Sequence, residues 1–363
     1  CKCWKGASIV KLVEIDELQG GEILAKQILT NDYQVLLGKG TVIKKDYIEK
    51  LKELDILSVY VEETVANVTL DENEMIHEEV KKDCLIKVRS ILEKHMYKMD
   101  DDLKKIEEAS NEIMMNILND EHVIKKVYEI KMRSSDVYEH SISVCILSIL
   151  TSLKLDIPKD EIYDIGLAAL MHDLGLRYIT VNYDNTNIEN YTEKEKEEYK
   201  KHTIYGYSAL LKEDWISEKV KKLILFHHER MDGSGYPLHA KELTKDNQIL
   251  ALCELFDELL CGVGCVRMKV HEAVEYILAN SGTKFDPQVT KVFNTSIAAY
   301  PTGTTVCTNQ GEIGIVIRQN REQPTRPVIR VLKDSQNRLC EGWIEKDLLK
   351  ELSLFIVDTV EEI

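Results

Sequence analysis

The spacing of apolar residues changes character several times along the chain, and each change predicts an element type. In residues 1–63, SIVKLVEI and YQVLL are short runs rich in β-branched and aromatic side chains, as strands are. Gly38 and Gly40 punctuate a turn, DYIEKLKEL (46–54) is an amphipathic helix, and SVYVEE follows as a strand. This predicts a small α+β N-terminal domain. Residues 64–129 are densely charged. In IHEEVKKDCLIKVRSILEKHMYKM the apolar positions recur at three- and four-residue spacing, the mark of a helix. A solvated helical connector and a dimerising helix both fit that pattern.

Residues 130–300 read as successive helices: VYEHSISVCILSILTSL, KDEIYDIGLAALMHDLG, EKEKEEYKKHTIYGYSALL, ISEKVKKLILFHHE, NQILALCELFDELL and HEAVEYILAN. Tyr300, Pro301 and Gly303 mark a boundary. Over 301–363 the period becomes two, in TTVCT, EIGIVIR, RPVIRVL and LSLFIVDTV, with turns at NQG and DSQN. The expected architecture is mainly α, with a small C-terminal β-barrel-like domain of about five strands.

Composition narrows the functional classes. The chain has 363 residues, 44% hydrophobic and 30% charged, with only 6 Pro and 17 Gly. Collagenous and wholly disordered chains are thereby excluded. With 47 Lys+Arg against 63 Asp+Glu the net charge is −16, so no fold-wide basic surface is expected and no DNA or RNA polymer is a predicted partner. A local pocket for a small anion remains allowed. The longest nearly apolar stretch, SISVCILSIL, is too short to span a bilayer. The N-terminal CKCWKGASIVKLVEI lacks the apolar run of a signal peptide. Nine scattered cysteines with no CxxC pair argue against a disulfide framework. A reducing, cytoplasmic setting is the expectation, with Cys145 and Cys253 buried inside helical runs.

Five of the ten histidines, His140, His172, His202, His227 and His228, fall in the helical region about one helix plus a loop apart. Helices packed up and down would bring them to one region of a bundle. Carboxylates accompany them: Asp136 one turn before His140, Asp173 beside His172, Glu229 after His228, and Glu254 further on. Imidazole with carboxylate and no thiolate suits Fe, Mn or Zn. Taken singly the pieces are weak, because a lone His-Asp pair is commonly a hydrogen-bonded helix terminus and His202 alone reads as a polar residue in a charged segment. Two adjacent imidazoles ending the apolar helix VKKLILF are harder to bury without partners. Gly233 and Gly235 then permit a tight turn, Tyr236 offers a ring and a hydroxyl, and Pro237 fixes the exit.

The string HHERMDGSGYP (227–237), with YEHS (138–141), HDLG (172–175) and HTIYG (202–206) before it, resembles the signature of HD-GYP domain proteins in order and spacing. The resemblance implies a helical HD-type bundle core holding two or three divalent metal ions, commonly iron or manganese. It implies a phosphodiesterase that hydrolyses cyclic di-GMP to pGpG or GMP in bacterial second-messenger signalling. On matching positions, His140, His172, Asp173, His202, His227 and His228 are metal ligands, Asp136 stands where some members place a carboxylate for a third metal, and Glu254 stands where the family has Asp. Asp257 matches a second Asp and is the weaker ligand candidate. His172 and Asp173 are implied as catalytic, with Asp173 the natural bridge between metals, and Gly235 and Tyr236 as substrate-binding.

Three departures stand out. The family's HDxGK lysine, which would face the scissile phosphate, is Leu176 here. Arg177 is next door but about 100° round a helix. At position 254 Asp has become Glu. The cations that many members carry after Asp257 are absent, and Arg267 and Lys269 are the candidates to replace them at the nucleotide. Two readings therefore stand: a cyclic di-GMP phosphodiesterase, or a degenerate domain that binds the nucleotide or a protein partner without turnover. Another HD phosphohydrolase acting on nucleotides is a third, which the GYP loop disfavours. A homodimer through the helical connector is also expected.

Overall fold

The computed structural model describes residues 9–63 with short breaks, 106, 108, 111, 137–320 apart from 184–186, and 323–360. Most of the expected connector, and Asp136 with it, lie outside the described residues. The chain divides into two compact units, 75–126 with 135–296, and 1–74 with 127–134 and 297–363. They are described separately.

In the helical unit, α2 (Val137–Lys154) and α3 (Lys159–Met171) pack together, and α3 runs into a 3-10 segment (His172–Tyr178). There follow α4 (Glu193–Lys200), α5 (His202–Leu210), α6 (Glu218–Phe226), α7 (Lys245–Cys261), α8 (Val270–Ala279) and α9 (Pro287–Asn294). The starts are written locally. Thr192, Ser217, Thr244 and Asp286 each accept a backbone N–H of the first turn, satisfying donors that the helix itself leaves unpaired. Gly262 ends α7 in the left-handed region at φ 75° and returns its N–H to the Glu258 carbonyl. α2 is buried almost all round, with Ile142, Val144, Cys145 and Ile149 at 0% exposure. It packs against α3 and α7. Cys145 and Cys253 are both buried and in no disulfide, as the apolar runs around them predicted.

The functional residues sit at helix ends. His140 lies in the first turn of α2, His172 follows the last residue of α3, His202 opens α5, and His227 and His228 follow α6. One glycine makes the assembly possible. A Cβ on Gly175 would collide with the His202 carbonyl oxygen and come within 2.6 Å of the Gly206 N. The backbone carrying His172 and Asp173 therefore meets the backbone carrying His202 with no side chain between them.

In the other unit, β1 (Ile9–Glu14), β5 (Ser58–Glu63) and β2 (Ile23–Leu24) form an antiparallel sheet in the order β1-β5-β2. β3 (Ile28–Leu29) pairs with β4 (Val35–Leu37), and α1 (Lys45–Glu53) contributes Ile48 and Leu51 to a core with Leu24, Ile43 and Val59. The C-terminal strands are β6 (Thr305–Thr308), β7 (Ile313–Arg318), β8 (Val328–Lys333), β9 (Leu339–Asp347) and β10 (Ile356–Thr359). All neighbours are antiparallel, in the order β10-β6-β7-β8-β9. Five strands were expected, but the barrel is not closed: β10 and β9 lie at opposite edges of an open sheet. Period-two patterning fixes which residues face a core; it does not say whether the end strands meet.

Gly175→Ala is expected to destabilise the fold by about 3 kcal/mol or more, since a buried backbone contact must open. Denaturant unfolding checks this, and a loss below about 0.5 kcal/mol would contradict the close approach.

Candidate metal centre

Three imidazoles are held in the same way. His172 Nδ1 lies 2.7 Å from the Ala169 carbonyl, His202 Nδ1 2.7 Å from the Tyr199 carbonyl, and His227 Nδ1 2.6 Å from the Ile224 carbonyl. A carbonyl only accepts, so in each ring Nδ1 donates and Nε2 of the neutral ring carries a lone pair. In His140, Nδ1 lies 3.0 Å from Asp257 Oδ2, which likewise turns Nε2 inward. The four inward atoms meet in pairs: His140 Nε2 is 3.2 Å from His172 Nε2, and His202 Nε2 is 3.2 Å from His227 Nε2. Lone pairs that close repel unless a cation or a proton sits between them.

Asp173 stands between the two pairs. Its Oδ2 is 3.2 Å from His172 Nε2 and 3.7 Å from His140 Nε2; its Oδ1 is 3.6 Å from His202 Nε2 and 3.9 Å from His227 Nε2. Each oxygen thus faces its own pair of imidazoles. All five groups are buried. The ligand atoms of His140, His172 and Asp173 lie within 4.8 Å of one another, as do those of Asp173, His202, His227 and His228. Ligating side chains of this kind, with ring nitrogens bare and oriented by backbone acceptors, fit divalent cations well.

The electrostatics agree. Burial would raise the Asp173 carboxyl, but His172, His202 and His140 around it bring it well below the ordinary carboxylate range. Burial, then neighbouring imidazoles, push His227 and His228 well below the usual histidine value, and burial lowers His202 despite Asp173. Neutral rings are the ones that bind metal. Burial would lower His140 too, yet Cys261 and Asp257 against its ring hold it well above.

Beside this cluster Tyr236 stacks on His228, centroids 4.5 Å apart at 21°, and donates its backbone N–H to the His228 carbonyl. Glu229 is buried and accepts from Leu238 N at 2.6 Å and Ala240 N at 2.9 Å, pinning the GYP loop back onto α6's end. A Cβ on Gly235 would collide with the His228 carbonyl oxygen and stand 2.5 Å from Arg230 N. That glycine lets the loop pack against its own stem.

Other expected residues fall differently. Glu254, at 1% exposure, is not grouped with Asp173. Its Oε1 faces His228 Nδ1 at 3.7 Å and its Oε2 meets Arg230 Nη2 at 3.3 Å. Arg230 also donates to the His227 and Glu229 carbonyls. Arg267 gives its Nε to the Cys261 carbonyl, and Lys269 N donates to Glu272 at the start of α8. Leu176 is 3% exposed and part of the core. Sequence reasoning underrated Asp257, which orients His140, and passed over Arg230, Glu258 and Cys261, whose Sγ is 3.8 Å from His140 Nδ1. A signal existed: Glu254, Asp257, Glu258 and Cys261 recur at three- and four-residue spacing, one face of α7.

Comparison with known proteins accords with this geometry. Residues 112–289 match the family described as HD domain, and 305–363 match one described as KOW domain associated with HD domain. A protein named cyclic di-GMP phosphodiesterase from Pseudomonas aeruginosa is 27% identical over 232 residues, 63% of this chain and 56% of the relative. The cyclic di-GMP phosphodiesterase response regulator RpfG of Xanthomonas campestris is 32% identical over 145 residues, 38% of each. The matches thus span about half or less of these relatives' own lengths. An HD-GYP-type protein from Bdellovibrio bacteriovorus, 18% identical, shares the fold at a TM-score of 0.50 over 79% of this chain and 98% of its own. Residues 112–289 are thus similar to an HD domain, in accord with the HD-GYP resemblance of the sequence.

The pH dependence of the metal-free protein follows. His202, His227 and His228 have lowered folded values, so unfolding below the ordinary histidine pKa of about 6.5 takes up protons and stability falls as pH falls. The raised His140, Glu254 and Glu258 take up protons in the folded protein and oppose this. The imidazole part is isolated by a variant: His227→Gln is expected to lose less Tm than wild type between pH 7.5 and pH 5.5. An equal or larger loss in the variant would contradict a neutral, buried His227.

Proposed function

We propose that the helical domain, residues 130–300, is a metal-dependent phosphodiesterase hydrolysing cyclic di-GMP to pGpG or GMP. The observation that carries the reading is the placement of two imidazole pairs, Nε2 inward, on opposite oxygens of one buried carboxylate. His140 and His172 with Asp173 Oδ2 would hold one cation, and His202, His227 and His228 with Oδ1 another. Iron or manganese suits this nitrogen-and-carboxylate set. The names of the relatives supply the substrate class.

Such ions, when bound, polarise a phosphate oxygen and lower the pKa of water from 15.7 to about 7. The chain's own residues do the rest. Asp173 sets the spacing of the two positions. The carbonyls of Ala169, Tyr199 and Ile224 hold the rings so that no rearrangement is needed when an anion enters. Asp257 keeps its acceptor on His140. Tyr236 covers His228 and offers a ring on which a base can stack, and Lys200 Nζ, 5.6 Å over that ring, adds a cation at the rim. With Leu176 buried, phosphate charge falls to the metals and such rim cations. Arg267 and Lys269 remain proposed nucleotide contacts that approach from the loop after α7. Among the described residues no helix is long and apolar enough to cross a membrane. A cytoplasmic setting and a homodimer through residues 64–129 complete the proposal.

Wild type loaded with Mn²⁺ should convert cyclic di-GMP to pGpG, and Asp173→Asn should be at least about 100-fold slower with fewer metals per chain. Equal rates by chromatography would remove the enzymatic reading and leave a domain that binds without turnover. Leu176→Lys should raise turnover several-fold if its ammonium reaches the phosphate; unchanged kcat in a folded variant would show that Leu176 is no handicap.

A further inference from the structure

The Asp173 cluster does not use the two carboxyls on the α7 side of His228. Glu254 is buried, and Glu258, one turn along α7, is partly exposed. The two share a hydrogen bond that Glu254 donates and Glu258 accepts. Burial, then the Glu258 charge, hold the Glu254 carboxyl well above the usual carboxylate range, and burial raises Glu258 as well. The pair thus keeps one proton and one negative charge, and Arg230 meets Glu254 from the other side at 3.3 Å. Glu254 is committed to Arg230 and Glu258. Glu258 is not: a carboxylate has about four acceptor sites, and the bond from Glu254 fills one.

Two phenols lie beside this carboxylate. Burial, then the Glu258 charge, push the Tyr199 and Tyr236 hydroxyls well above the ordinary tyrosine value, so both keep their protons. Both rings stand edge-to-face against His202, with centroids 5.1 and 6.1 Å away. Tyr199 is 3% exposed, and a Cβ on Gly264 would come within 2.6 Å of its hydroxyl oxygen; the glycine leaves that oxygen room. His228 covers one face of Tyr236, and the exposed Lys200, over the ring at 5.6 Å, is a side chain that a base can displace. Glu258 lies within 4.8 Å of the nearest ligand atoms of His228 and Glu254. A stacking face, an acceptor and a donor are therefore gathered next to the metal centre, the arrangement by which a few convergent polar groups orient a ligand.

Guanine and adenine differ on the edge that such a set meets. Guanine carries N1–H and N2–H donors beside the O6 acceptor, whereas adenine carries the N1 acceptor beside the N6 donor. A carboxylate accepts from N1–H and N2–H together, and a phenol donates to O6. Facing adenine, the same carboxylate meets the N1 lone pair, and a site built for a hydrogen bond rejects a ligand that leaves it unmade. We infer that Glu258 and the Tyr199 hydroxyl read the edge of a guanine base stacked on Tyr236, and that they reject adenine. This deepens the proposed function and rests on it for the phosphodiester at the metal centre, while the choice of base is set by Glu258 and Tyr199 alone.

The test is the ratio of kcat/KM for cyclic di-GMP to that for cyclic di-AMP on full-length protein loaded with Mn²⁺. Damage to the metal centre slows both substrates and leaves this ratio alone. Wild type is expected to favour cyclic di-GMP by about 10–100-fold. Glu258→Gln puts an amide donor where an acceptor was and should bring the ratio close to one. Tyr199→Phe removes the hydroxyl, keeps the carbonyl that orients His202, and should lower the ratio several-fold. Circular dichroism confirms folding of each variant. An unchanged ratio in either folded variant, or a wild type without preference, overturns the inference and leaves the phosphodiesterase reading standing. If wild type turns over neither nucleotide, that reading falls, and the ratio of dissociation constants from calorimetry decides the inference in the same way. A wild type that binds neither overturns both.

Discussion

The organisation of the helical unit depends on one buried carboxylate addressed from two sides. Asp173 Oδ2 faces His140 and His172, and Oδ1 faces His202 and His227. A buried anion is tolerable only when cations or strong donors surround it. Four imidazoles converging on it without protons to share would leave lone pairs opposed. The arrangement makes physical sense as a frame for cations, and the surrounding chain is built to hold it: backbone acceptors fix the ring tautomers, and Gly175 removes the side chain that would separate two of the contributing backbones.

That frame explains why an acidic chain can be read as handling an anion. A net charge of −16 repels a dinucleotide at long range. Divalent ions reverse the sign locally, where it matters for a phosphodiester. It also explains why the loss of the usual lysine at 176 need not empty the site of function. The side chain there is core packing, and in the proposed reading the positive charge would come from bound ions and from groups at the rim.

Much of this was legible in the sequence, and unevenly so. The five histidines are separated by intervals of about one helix plus a loop, so their convergence could be read from spacing. The HHERMDGSGYP string made the domain type recognisable, and the glycines it contains turn out to serve close backbone packing, with Gly235 against the His228 carbonyl. What could not be read was partner choice over distances of one methylene. Glu254 looked like a member of the Asp173 cluster, but Arg230 and Glu258 draw it to the far side of His228. Asp257 looked secondary, yet it sits 3.0 Å from His140 Nδ1. Arg267 and Lys269 were picked as cations following Asp257, and the described contacts tie Arg267 to its own loop. The terminal sheet shows the same limit, since alternation located the five strands and said nothing of whether the outer two would meet.

The most direct test of the account is an anomalous-scattering crystal structure of the protein loaded with Mn²⁺ or Fe²⁺. The account predicts two strong peaks flanking Asp173, one bonded to Oδ2 and the Nε2 atoms of His140 and His172, the other to Oδ1, the Nε2 atoms of His202 and His227, and His228. Imidazoles turned away from Asp173, with no peak at either oxygen, would contradict it.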